Sequence, residues 1–97
     1  MEDLTMETKR QQFSLGRLLS TPGAIDTLHP DDMLTALGRH AKCDWGDCCP
    51  EDWTENDFAL DKYLRLFSVY HDRDGTKFWI ITEADRSATT ILLPDEY

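Results

Sequence analysis

Asp72-Arg73-Asp74-Gly75 stands between two runs of strand-forming residues, 64–71 and Phe78-Trp79-Ile80-Ile81-Thr82. Two apolar runs around a short Gly-containing turn are the signal of a β-hairpin. A hairpin commits this part of the chain to a sheet. A third run, 88–93, follows the short link Glu83-Ala84-Asp85-Arg86-Ser87 and stops at Pro94. Three neighbouring strands joined by short turns predict an antiparallel meander. Phe78 and Trp79 are adjacent on their strand and so face opposite sides of it, which puts one of them in the core.

The meander fills the last third of 97 residues, so its cover has to come from the residues before it. Prolines punctuate that stretch. Thr21-Pro22-Gly23 predicts a short helix to about Leu28, with Thr21 capping and Pro22 in the first helical position. His29-Pro30-Asp31-Asp32 restarts a helix, with two acids where the dipole favours them. Met33, Leu34, Leu37 and Ala41 then recur at helical spacing. Residues 42–50 read as a loop, and Pro50 opens a third helix with Glu51 and Asp52 in its first turn. Phe13-Ser14-Leu15 is a short strand or the start of the ordered core. The expectation is an α+β domain over 13–97, with N-terminal helices packed on a C-terminal three- or four-stranded antiparallel sheet. Residues 1–12 are expected to be a flexible tail. A chain of this length buries about 65% of its unfolded surface, enough for one modest core.

Charge narrows the function classes. Ten Lys and Arg against nineteen Asp and Glu give a net charge of −9 and a pI near 4.5. Direct nucleic-acid binding normally leaves a basic footprint, and docking on anionic lipid needs basic residues. Neither is expected here. No apolar run approaches the length of a membrane span, and the first dozen residues hold no apolar signal core. Cys43, Cys48 and Cys49 are an odd count within seven residues, which does not suit a secreted disulfide framework. A cytoplasmic protein is expected.

Four constellations could carry chemistry. His40, Cys43, Cys48 and Cys49 have zinc-ligand identities, but H-x2-C-x4-C-C matches no finger or ribbon spacing. Neither a metal nor any other cofactor is expected. From Cys43 to Asp61 run seven acids, Asp44, Asp47, Glu51, Asp52, Glu55, Asp57 and Asp61, with no Lys or Arg among them. They read either as a solvated face or as a surface that imitates nucleic-acid phosphates; calcium is a weaker option, because the EF-hand order of ligands is missing. Within that stretch, Asp44-Trp45-Gly46-Asp47 reads as a structural plug or as a partner-binding loop. Asp44, Trp45, Asp47, Glu51, Asp52, Glu55 and Asp57 are the candidate partner-binding residues. Glu83, Asp85 and Arg86 form the fourth constellation. They read as a pinned turn, with Arg86 paired to its neighbouring acids or to Asp44 or Asp47, or as a polar site suited to hydrolysis. No G-x-S-x-G, P-loop, H-E-x-x-H or G-x-G-x-x-G is present, so no catalytic residue is assigned.

Three blocks together resemble a small uncharacterised bacterial family of mobile-element proteins labelled plasmid-related. Phe13-Ser14-Leu15-Gly16 with Thr21-Pro22-Gly23-Ala24 resembles its opening. Arg39-His40, Asp44-Trp45-Gly46-Asp47 and Glu51-Asp52 with Asn56 resemble its middle. The run from Trp79 to Ser87, with Thr89-Thr90-Ile91-Leu92-Leu93-Pro94 and Glu96-Tyr97, resembles its ending. Some members carry the label of a type I restriction endonuclease M subunit, but this chain has no N-P-P-F-like methyltransferase motif. Cys43, Cys48 and Cys49 depart from the family pattern. The resemblance implies association with plasmids and other mobile elements, and no reaction. Together with the charge it leads to one expectation: a non-enzymatic binding protein whose acidic stretch engages a basic nucleic-acid-handling protein, such as a host defence component. The alternatives are a small hydrolase or nuclease-like enzyme using Glu83, Asp85 and Arg86, and a homo-oligomeric accessory domain.

Overall fold

The computed structural model describes residues 11–97. Of the expected tail, residues 1–10 lie outside the described residues. Gln12 donates its backbone N–H to the Ala41 carbonyl at 2.8 Å, so the described chain is already tied down there.

The chain enters through a short strand, β1 (Arg17–Ser20), and then forms α1 (Pro22–Thr27), α2 (Pro30–Ala41) and α3 (Pro50–Lys62). It finishes with β2 (Leu66–His71), β3 (Lys77–Thr82), β4 (Ala88–Leu92) and a last turn of 3-10 helix, Pro94–Glu96. Each α-helix begins at one of the prolines singled out above, because proline has the right φ and its missing N–H is not needed there. Thr21 accepts from the Ala24 N–H as the cap of α1. At the other end of the chain, Glu96 reinforces the same spot, accepting from the Thr21 hydroxyl and from the Gly23 N–H.

The sheet is mixed, in the order β1-β4-β3-β2. β2, β3 and β4 form the expected antiparallel meander. The departure is β1, which pairs parallel to β4, Arg17 opposite Ala88 and Ser20 opposite Ile91. A parallel pair needs a long crossover, and here the three helices together with β2 and β3 lie between the two strands. The all-antiparallel expectation is therefore corrected to a four-stranded mixed sheet, with α+β retained.

One sheet face carries Leu66, Ser68, Tyr70, Phe78, Ile80, Thr82, Thr89 and Ile91 by alternation along the registered strands. Tyr70, Phe78, Ile80 and Ile91 bury against Ala24 of α1, Leu28 just after it, and Ala36 and Leu37 of α2. Phe78 is thus the core member of the Phe78–Trp79 pair. A second cluster joins Trp45, Ala59 and Leu66. Trp79 lies on the opposite face, where its ring meets Phe67 at 4.9 Å and Tyr97 at 5.8 Å between centroids. Among the described residues, no helix is long and apolar enough to cross a membrane.

Candidate functional site

Helix α3 does not lie flat on the sheet; it closes the free edge of β2. Asn56 does this directly. Its side-chain amide donates to the Phe67 carbonyl at 2.7 Å and its oxygen accepts from the Phe67 N–H at 2.9 Å. The Asp44–Asp47 loop continues the closure with a parallel bridge between Gly46 and Val69. Val69 donates to the Trp45 carbonyl, and Asp47 donates to the Val69 carbonyl. Gly46 has a φ of +75°, and a Cβ there would lie 2.0 Å from the Val69 oxygen. The loop can come this close only because residue 46 has no side chain.

Trp45 is fully buried. Its indole N–H donates to Asp57 at 3.0 Å, and its ring packs on Phe13 and edge-on to His40. Trp45 is therefore the plug of the loop and offers no surface to a partner, which removes it from the candidate contacts. Asp44 is engaged too, in a two-pronged ion pair with Arg39 at 2.8 and 3.2 Å and by accepting from the Gly46 N–H. Asp47 pairs with His71 at 2.8 Å.

The remaining acids behave differently. Glu51, Asp52, Glu55 and Asp61 are exposed on α3 and make no hydrogen bond or ion pair among the described residues. Asp57 is exposed as well, although it holds the Trp45 indole. The buried residues of α3 are Asn56 and Ala59, and acids flank that stripe, Glu51 and Glu55 on one side and Asp57 and Asp61 on the other. Phe58, 55% exposed, stands among them, with the Lys62 ammonium 5.9 Å from its ring centre.

Glu83, Asp85 and Arg86 do not form one polar site. Glu83 pairs with Arg65 at 3.4 Å, and Asp85 accepts from the Ser87 N–H at 3.0 Å. Arg86 is only 8% exposed and turns inward. Its guanidinium donates to the carbonyls of Ala59, Leu60, Leu64, Glu83 and Ala84. The expected ion pair of Arg86 with nearby acids, or with Asp44 or Asp47, is replaced by a cap on the C-terminal end of α3. Arg39 takes the place beside Asp44 instead. A cleft of about 490 Å³ opens next to Arg86 and Asp85, lined also by Phe13, Leu60, Asp61 and Tyr63.

The cysteines and His40 do not make a metal site together. Both ring nitrogens of the buried His40 are engaged, Nδ1 with Ser68 at 2.5 Å and Nε2 with Thr82 at 2.9 Å. Thr82 continues to Thr89 at 2.8 Å, and Thr89 donates to the Leu15 carbonyl. Cys48 donates to the Trp45 and Phe67 carbonyls, and burial pushes its thiol pKa up, which favours the protonated form.

The chain matches no protein-family model, no curated protein and no solved structure. Its chemistry has to be read from its own residues, and the feature that stands out is the unpaired acidic side of α3.

Proposed function

We propose that this chain is a non-enzymatic acidic binding protein of a mobile element. In this reading α3 takes the place of a nucleic-acid backbone in the basic groove of a host nucleic-acid-handling protein. The supporting observation is the spacing of its charges. Glu51, Asp52, Glu55, Asp57 and Asp61 are all exposed and span ten helical steps, about 15 Å at ~1.5 Å per residue. That is one carboxylate per ~4 Å of helix axis, close to the one phosphate per ~3.4 Å of axis on one DNA strand. The bases nearby offset them only in part: Arg39 and Arg65 are paired with Asp44 and Glu83, Arg86 is spent on carbonyls, and Lys62 beside Asp61 brings one positive charge to the helix end. A surface of this kind steers a basic partner at long range and loses its grip as salt rises. The mobile-element part of the proposal rests on the family resemblance of the sequence blocks.

The test is capture from host lysate by the wild-type chain and by the variant Glu51→Gln, Asp52→Asn, Glu55→Lys, Asp61→Lys. Asp57 stays intact because its loss would strand the buried Trp45 N–H. The expected result is a nucleic-acid-handling protein that binds wild type, leaves with salt or competing duplex DNA, and is reduced at least tenfold on the variant. Equal capture by the variant would overturn phosphate mimicry.

A specific observation favours a second reading, the homo-oligomeric accessory domain. The sheet face away from the helices carries the Phe67, Trp79 and Tyr97 aromatic run, with Tyr97 72% exposed. At the edge of the same sheet, β1 exposes Leu18 and Leu19. If copies associate there, light scattering across a wide concentration range will show a dimer that Trp79→Ser and Tyr97→Ser dissociate. A monomer at every concentration would exclude it.

A further inference from the structure

The β2–β3 turn contains a group that neither the acidic helix nor the Arg86 cap uses. Asp72 is 6% exposed at the base of this turn. Its Oδ1 accepts from the Asp74 N–H at 2.9 Å and from the Thr76 N–H at 3.0 Å. Its Oδ2 is buried and has no hydrogen-bond partner. The carboxyl group thus has one oxygen held by the turn and the other buried without a partner. Native interiors rarely leave such an atom without a partner, and for a charged group the cost is larger still.

Two more donors converge on this point. His29 comes from the α1–α2 junction, where the following Pro30 holds it in an extended conformation (φ −71°, ψ 129°). Asp74 comes from the turn itself. One ligand atom from each of His29, Asp72 and Asp74 lies within 4.8 Å of the other two. His29 Nε2 and Asp74 Oδ2 are 2.9 Å apart. A tetrahedral ion with bonds of ~2.0–2.2 Å sets its ligands ~3.4 Å apart, so modest rotations of the exposed His29 and Asp74 side chains close the set. The backbone is already held for this. Arg73 grips Asp32 of α2 with two side-chain bonds at 3.0 Å and its own N–H at 2.8 Å, which fixes the turn against the helix that follows His29.

We propose that His29, Asp72 and Asp74 form a binding site for a divalent transition-metal ion of the zinc class. One imidazole with two carboxylates is a mixed nitrogen and oxygen set that Zn²⁺ accepts. Ca²⁺ and Mg²⁺ prefer oxygen alone. Three protein donors leave a fourth position for water or an outside ligand, on the exposed side beside Asp74. The ion would satisfy Asp72 Oδ2 and tie the hairpin turn to the start of α2.

The test is calorimetric titration of the metal-stripped full chain with Zn²⁺, with Mg²⁺ and Ca²⁺ alongside. His29→Gln and Asp74→Asn change exposed side chains and leave the Asp72 turn intact, so far-UV circular dichroism should match wild type. One equivalent of Zn²⁺ is expected, weakened at least tenfold by either substitution and retained when Cys43, Cys48 and Cys49 are changed to Ser. Titration followed by ¹H–¹⁵N correlation of the histidine rings should move His29 and leave the buried His40 in place. Absence of stoichiometric binding, binding indifferent to His29→Gln and Asp74→Asn, or binding lost with the cysteines would each overturn the site. In the first case His29 would serve only as a hydrogen-bond partner of Asp74.

Discussion

Arg86→Ala is expected to lower folding stability by about 3–5 kcal/mol, because a buried charged donor is removed while its carbonyl acceptors stay behind. The partners here are main-chain carbonyls. Ala59 O also accepts from the Leu64 N–H, and Glu83 O from the Arg86 N–H. The carbonyls of Leu60, Leu64 and Ala84 depend more heavily on the guanidinium. Two or three hydrogen bonds to a charged donor, at about 1.5–3 kcal/mol each and not fully additive, reach the same range. The cation also sits at the C-terminal end of α3, where the helix dipole favours positive charge, and the rings of Tyr63 and Phe13 lie 5.2 and 5.7 Å from it. A domain of this size has about 5–15 kcal/mol in total, so the loss is a large fraction. Arg86→Lys should recover only part of it, since an ammonium lacks the planar fork that reaches several carbonyls at once. Residue 86 also has a φ of +63°. Arg86→Gly should therefore be less damaging than Arg86→Ala, by about 1 kcal/mol of relieved backbone strain. Urea unfolding of the three variants checks this order. A drop below about 1 kcal/mol for Arg86→Ala would show that the guanidinium does not hold these carbonyls.

Arg86 also shows where a sequence is legible and where it is not. The three helices were readable because each opens on a proline, and Pro22, Pro30 and Pro50 act through local backbone geometry. The meander was readable because hairpin chemistry is local as well. β1 was not. Arg-Leu-Leu-Ser has no alternation, and its partner β4 lies some seventy residues on, so only the tertiary fold makes it a strand. Arg86 has acids on its near side in sequence, which suggested an ion pair. Its carbonyl partners at the end of α3 come from 26 and 27 residues earlier, and no local pattern points to them. Trp45 and Asp57 were both legible as candidates, but not as each other's partners. The acids of α3 are exposed in the structure as their charge alone requires, since exposed charge needs no specific partner. His29, Asp72 and Asp74 carry no joint signal in the sequence, because a hairpin turn accounts for the two aspartates and a helix start for His29, and only the fold brings them together.

Lowering the pH from 7 to 5 is expected to cost about 2 kcal/mol of stability through His40 alone. Burial, together with the nearby Arg86 charge, pushes its pKa down from an ordinary 6.5 to about 3. The hydrogen-bond chain explains why the neutral form is held. Each hydroxyl has one proton to donate. Thr89 donates its proton to Leu15 O, so Thr82 donates to Thr89 and must accept from His40 Nε2–H. Nδ1 is then the acceptor for the Ser68 hydroxyl. A second ring proton on Nδ1 would meet a donor where it needs an acceptor. The folded state therefore stays unprotonated while the unfolded chain takes up a proton below pH 6.5. Stability is fully present above that pH and falls as the pH drops towards 3, at up to about 1.4 kcal/mol per pH unit. The lowered carboxylates have the same sign but act later. Arg73 holds Asp32 at about 2, and the contributions of Asp32, Asp85 and Glu96 are lost only as the pH falls below the ordinary carboxylate range. The window from pH 6.5 to 5 thus isolates histidine. Urea midpoints at pH 7 and pH 5 for wild type and His40→Gln check it. The variant should be weaker at pH 7, because the chain is broken, yet lose about 2 kcal/mol less than wild type between the two pH values. Equal losses in the two proteins would show that His40 is not the source of the acid sensitivity.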